Sequence, residues 1–286
     1  MKTVLRKYTP KTLWKYMSTG KSWLLDTADI LLGRSDDLLP PRRLVFIGSG
    51  DFQKIGNEFT EHFKRLAGLE AHHRVLDVGC GIGRMAIPLT KYLSATGSYE
   101  GFDIVPQGIE WCTKQIAPRF PNFNFRLADI RNKEYNPNGI VTADTYRFPY
   151  DDGSFDLVFA TSVFTHMLPR DVKNYLSEIA RVLRPGGRCL ITWFLLNPES
   201  RELIKKGCSE LEFRYSVEGC LTTNARIHEE AIAYEEDNAM ELYAQQQLTF
   251  DHPVRYGSWC GRPDYLSYQD ICIAQKSVNN SNIASP

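Results

Sequence analysis

The chain has 286 residues, 43% of them hydrophobic and 12% aromatic, which suits one large α/β domain with an appendage or two small domains and excludes global disorder. Its 34 Lys and Arg balance 34 Asp and Glu, so the basic excess of a protein that grips a nucleic-acid backbone is missing. The seven cysteines are scattered, odd in number and without a CxxC pair, which argues for reduced thiols in a cytoplasmic protein over a disulfide framework or zinc site. The opening "MKTVLRKYTPK" lacks an apolar signal core, and the longest apolar run, Cys189 to Leu196, is too short to span a bilayer.

Residues 1–70 read as an N-terminal helical segment of short helices broken by "LLPPRR" and "FIGSGD". The best of them runs from Phe52 to about Leu66, with Phe59, Phe63 and Leu66 near helical spacing. From Arg74 the texture changes. "RVLDVG" predicts a buried strand and the segment after Arg84 a helix; "SYEGFDIV" and "QGIEWCTKQI" repeat the pair. "FNFRLADI" predicts a third strand and "SFDLVFATS" a fourth. "VKNYLSEIARVL" aligns Val172, Leu176, Ile179 and Leu183 on one helical face, "RPGG" stops that helix, and "RCLITWFLL" is a fifth strand. Strands alternating with helices pair in parallel through right-handed crossovers. Two stretches break the rhythm: a loop rich in Asn, Pro and Tyr after the third strand, and residues 197–247, mostly helical and charged, a candidate acceptor cap. "LTFDHPVR" and "YQDICIAQK" close a domain over 71–276, and 277–286 is a polar tail.

"RVLDVGCGIGR" holds an acid inside a strand, followed by glycines at 79, 81 and 83. A nicotinamide fingerprint needs G-x-G-x-x-G, but Arg84 stands where the third glycine belongs, and no Gly-Lys-Ser/Thr follows to make a P-loop. Strand, acid, "GCGIG" and helix together resemble the first motif of class I S-adenosylmethionine-dependent methyltransferases, of the type 11/25-like small-molecule kind. The later strands agree with that resemblance, which runs over about residues 71–196.

The resemblance implies a doubly wound, Rossmann-like, seven-stranded and mostly parallel α/β sheet with a helical insertion after the fifth strand, and S-adenosylmethionine as cofactor. It implies that Asp77 faces the ammonium side of the methionine and that Gly79, Cys80 and Gly81 cover methionine and ribose; Arg84 either reaches the cofactor carboxylate or sits on the first turn of the following helix. Asp103 follows Gly79 by roughly the 20 residues at which dinucleotide folds place a ribose acid, with Ile104 beside it. Asp129 then takes the adenine amino group, Ile130 the ring, and the exit of the fourth strand at Thr161 lines the methyl-donor pocket.

His166 in "SVFTHMLP" is the candidate general base, since it follows the fourth strand and titrates in the useful range. His228 in the late insertion is a weaker candidate for the pocket. "YGSWCGRPDY", Tyr256 to Tyr265, reads as an acceptor-site loop or a packed connection, the segment from Phe46 to Phe52 as a water-excluding lid, and "YNPNG" as a turn. The expected reaction is in-line methyl transfer to an oxygen or nitrogen of a small acceptor, with no metal, nucleic acid or membrane partner. An RNA or protein methyltransferase, a lipid-modifying relative and a non-catalytic cofactor-binding regulator stand as alternatives.

Overall fold

In the computed structural model the described residues are 38–46, 48, 50–133 and 135–278. Most of the expected N-terminal segment and the end of the polar tail lie outside them. The first regular helix is α1, Phe52–Ala67, capped by Asp51, whose side chain accepts from the Lys54 amide at 2.9 Å. Its expected apolar face is real: Phe59 and Phe63 are buried against the sheet.

The main sheet contains β1 (Arg74–Val78), β2 (Ser98–Asp103), β3 (Phe123–Leu127), β4 (Phe155–Ala160), β5 (Leu183–Trp193), and the later strands β10 (Leu248–Phe250) and β11 (Asp270–Lys276). Their order is β10-β11-β5-β4-β1-β2-β3, all parallel except β11, which runs antiparallel to both neighbours. Alternation along β1 sends Val75 and Asp77 towards α1 and its neighbours, α2 (Ala86–Leu89) and α3 (Pro106–Gln115), and Leu76 and Val78 towards α4 (Pro169–Val182). The chain leaves β1 to one side for β2 and later returns on the other for β4, which opens a crevice at the carboxyl ends of these strands.

Three local expectations change. The helix after Arg84 is only four residues long, because the glycine turn extends through Arg84 and Pro88 occupies its last turn. "RPGG" does not itself stop α4, which ends at Val182; it lies inside β5 as a bulge, with Gly186 at φ +78° and a register shift opposite β4. The insertion at 197–247 is mixed, not mostly helical. Besides α5 (Pro198–Lys205) and α6 (Glu236–Gln245) it holds β7 (Tyr215–Val217), β8 (Cys220–Thr222) and β9 (Ile232–Glu235). With β6 (Leu195–Leu196) these form a second sheet, β6-β9-β8-β7. Its hairpin turns on Glu218 and Gly219, both at positive φ, the geometry of a two-residue connection.

One buried carboxylate ties the two sheets together. Asp270, fully buried at the start of β11, accepts from the amides of Leu195 (2.8 Å) and Gly257 (2.7 Å), from Trp259 Nε1 (2.7 Å) and from Arg262 Nη1 (3.1 Å). Arg262 is 4% exposed, stacks over Tyr256 and bonds Glu199 on α5. Six of the seven cysteines are buried, and none is paired. Among the described residues no helix is long and apolar enough to cross a membrane. Asp270→Ala leaves three buried N–H donors unpaired and takes away one of the two carboxylates that hold Arg262, so urea unfolding should show a loss of about 3–5 kcal/mol, against a much smaller loss for Asp270→Asn.

Candidate active site

The glycine turn is fixed by β2. The amides of Gly79 and Cys80 both donate to the Phe102 carbonyl, at 2.9 and 3.0 Å, and the Gly81 amide donates to Asp103 Oδ2 at 2.7 Å. Glycine is required at position 79: φ is +81°, and a Cβ there would come within 2.4 Å of Val163 Cγ2. Cys80 is buried against Gly101 of β2, where its role is to fill space; burial holds its thiol protonated, well above the usual range.

The turn forms one wall of a cleft of about 320 Å³, within the size range of small-ligand sites. It is lined by Asp77, Gly79, Cys80, Gly81, Arg84, Asp103, Ile104, Ile130 and Thr161, so all but one of the expected cofactor positions converge there. The exception is Asp129. Its side chain is exposed, 3.4 Å from Asn136 Nδ2, and it is not part of the lining. Phe46 and Gly48 of the expected lid also line the cleft, while Ile47 and Ser49 lie outside the described residues. His228 and the loop Tyr256–Tyr265 do not reach it: the first holds Thr222 Oγ1 through its carbonyl, and the second packs around Asp270.

The electrostatics at the turn are unfinished. Asp77 is 1% exposed, and Tyr99 donates to its Oδ2 at 2.6 Å, but Oδ1 has no partner. Arg84 Nε is likewise buried without an acceptor. Burial pushes the Asp77 carboxyl up to about 8, outweighing the Tyr99 hydrogen bond. Burial also raises Asp103, although the amides of Gly81 and Val105 hold its two oxygens. An unsatisfied buried acid beside an unsatisfied buried base is suited to a ligand with both an ammonium and a carboxylate.

At the other end stand His166, Met167, Asp171, Tyr175, Tyr135 and Glu229. His166 Nδ1 lies 2.8 Å from the Glu229 carbonyl oxygen. A carbonyl only accepts, so Nδ1 carries the proton and Nε2 the lone pair of the neutral ring. Tyr135 meets that ring edge-on at 5.5 Å. Between the two ends, Ser162 is held at φ +60°, an unusual value for serine, by its amide's bond to Thr192 Oγ1 and by Gln269, which bonds both hydroxyls. Sequence reasoning missed Ser162, although it stands inside "SVFTHMLP", and Asp171, Tyr175 and Glu229, which no local signal marks.

Because the folded Asp77 keeps its proton up to about pH 8 while an unfolded carboxyl releases it near 3.8, its contribution to stability declines as pH rises between those values. Thermal unfolding of the ligand-free protein should therefore fall in midpoint from pH 5 to pH 8 more steeply than in Asp77→Asn, which lacks this titration.

Known proteins bear on the same residues. Residues 76–191 match a family model described as a methyltransferase domain. The chain is 33% identical over 136 residues to the methyltransferase GfsG of Streptomyces halstedii, covering 48% of this chain and 43% of that protein. It is 33% identical over 153 residues to a 27-O-demethylrifamycin SV methyltransferase of Amycolatopsis mediterranei, covering 52% and 49%. It thus spans less than half the length of these curated relatives. A crystal structure of a Pyrococcus horikoshii OT3 protein shares the fold, with a TM-score of 0.55 at 17% identity over 82% of this chain and 95% of that one. From the acid-bearing first strand into the bulged fifth, residues 76–191 thus match a methyltransferase domain and are similar to the class I S-adenosylmethionine-dependent methyltransferases, whose cofactor is S-adenosylmethionine.

Proposed function

We propose that the protein transfers the methyl group of S-adenosylmethionine to an oxygen or nitrogen of a small-molecule acceptor, a secondary metabolite or sugar-like compound, that enters at the His166 end of the cleft. The observation that carries this reading is the pair of orphaned groups at the glycine turn, Asp77 Oδ1 and Arg84 Nε. They match the ammonium and carboxylate of the cofactor's methionine part. Gly79, Cys80 and Gly81 offer their backbone at close range. Asp103 retains acceptor capacity for ribose hydroxyls on oxygens already fixed by Gly81 and Val105, with Ile104 alongside. Ile130 takes the adenine ring, Thr161 the exit of β4, and Asp129 stands at the rim beside Ile130.

The cofactor supplies an electrophilic methyl on a sulfonium that departs as a neutral thioether. Orientation of the acceptor in line supplies much of the acceleration, on the order of 7–11 kcal/mol in favourable cases. His166 receives the acceptor's hydroxyl proton at Nε2, since the Glu229 carbonyl holds Nδ1–H in place. The appended sheet acts as the acceptor cap through the 228–230 turn, which delivers Glu229. The small-molecule assignment is supported by the enclosed cleft, by the balanced charge, and by the rifamycin derivative named for one relative.

Isothermal titration should show one molecule of S-adenosylmethionine or S-adenosylhomocysteine bound per chain, weakened about tenfold or more by Asp103→Ala. With an acceptor found by screening labelled methyl transfer, His166→Asn should lower kcat roughly 10²–10⁴-fold while cofactor affinity stays unchanged. A wild-type protein that binds neither nucleoside would overturn the assignment.

A further inference from the structure

The acceptor end carries a group that the proposed reaction does not use. Among the described residues, Glu229 is the one lining residue contributed by the chain beyond Tyr175. Its carbonyl is committed to His166, but its side chain is a separate matter. The residue is 9% exposed, and Oε2 is buried with no hydrogen-bond partner among the described residues. The 228–230 turn that presents it is anchored by Thr222 Oγ1, which donates to the His228 carbonyl at 2.8 Å. Met167, beside His166, is held by its carbonyl's bond from Tyr234 of β9 at 2.6 Å. The scaffold on both sides is therefore rigid, and the carboxylate oxygen inside it lacks a donor.

The surroundings sharpen the point. Asp171, half-buried, lines the same end, and its Oδ2 accepts only a long bond, 3.3 Å, from the Leu168 amide. Tyr135 and Tyr175 supply aromatic walls. The end is thus apolar in body and rich in acceptors, which suits a ligand that brings donors of its own. A buried acceptor left unpaired penalises every ligand that fails to supply one, and this is the strong form of discrimination.

We propose that Glu229 is the specificity-determining residue for the acceptor. Its Oε2 takes a hydrogen bond from a second donor, a hydroxyl or an ammonium distinct from the atom that His166 deprotonates, so the substrate class is a diol or amino alcohol. This rests on the methyltransferase reading, and the test separates the two.

Each protein is first titrated with S-adenosylhomocysteine and its unfolding midpoint measured; then cyclohexanol, vicinal cyclohexanediol and vicinal aminocyclohexanol are titrated into the loaded protein by ligand-observed NMR. Wild type should bind the two-donor probes about tenfold or more tightly than cyclohexanol. Glu229→Ala should reduce that ratio to within about twofold with S-adenosylhomocysteine affinity unchanged. Glu229→Gln, which keeps an acceptor and the side-chain volume, should retain the diol preference and lose any advantage of the ammonium. An advantage for the amino alcohol alone in wild type identifies a cationic donor, and equal gains identify a hydroxyl. Wild type that binds neither two-donor probe better than cyclohexanol, or binds none of the three, overturns the proposal, as does a ratio that survives in a folded Glu229→Ala. If the alanine variant does not fold, the wild-type ratio and the Gln variant decide. Absence of S-adenosylhomocysteine binding sinks the methyltransferase reading and this proposal with it; intact binding without a preference for either two-donor probe sinks the proposal alone.

Discussion

Three backbone amides pinned to the end of one neighbouring strand set the whole site. Gly79 and Cys80 share the Phe102 carbonyl, and Gly81 is held by the Asp103 carboxylate. With that turn clamped to β2, and β4 on its far side, the crevice between them has a fixed width and a backbone wall. The turn works only with glycine where it faces Val163, because a methyl group there has no room. Gly101 answers the same demand from below, where any Cβ would press on the Cys80 side chain at 3.0 Å. Asp77 is carried into the interior as a consequence of that clamp, on the face of β1 where Tyr99 is its one donor.

The site departs from the rest of the molecule in a consistent way. Two charges elsewhere are matched: the buried Asp270 has four donors, and the half-buried Arg181 bonds Glu178 and two carbonyls. In the cleft, Asp77, Arg84 and Glu229 are each left with an unpaired atom. Ser162 adds backbone strain of about 1–3 kcal/mol, sustained by the Thr192–Gln269 pair. Three charged side chains with unpaired atoms beside a strained serine, gathered in one cleft, are the pattern of a surface arranged for something it does not itself contain.

Much of this was readable from the chain because the relevant signals are local. A strand with an acid two residues before a glycine turn, and acids at successive strand ends, occupy fixed positions in sequence, and periodicity located α1 within one residue and α4 within three. What escaped reading depended on contacts across space or on very short elements. β7 and β8 are three residues each, below the length at which alternation is visible, although the Glu218–Gly219 turn between them was a usable sign. "RPGG" has the composition of a turn, yet its neighbours in β4 and β11 draw it into a bulged strand. Nothing in "RIHEEA" distinguishes Glu229 from Glu230. Only the docking of the 228–230 turn against His166 buries one and leaves the other to bond Asn224. Asp129 shows the converse, a residue in the motif position whose side chain the following excursion turns outward.

The division of the cleft between two sheets has a practical corollary. Among the described residues, the appended half touches the cavity through a single amino acid, while the glycine wall and its acids all come from the first half. The glycine end of the cleft comes wholly from the first half, while the opposite end combines Tyr135, His166, Asp171 and Tyr175 of that half with Glu229 of the appended sheet. Changing the 228–230 turn therefore reshapes one end of the cleft and leaves the glycine wall as it stands.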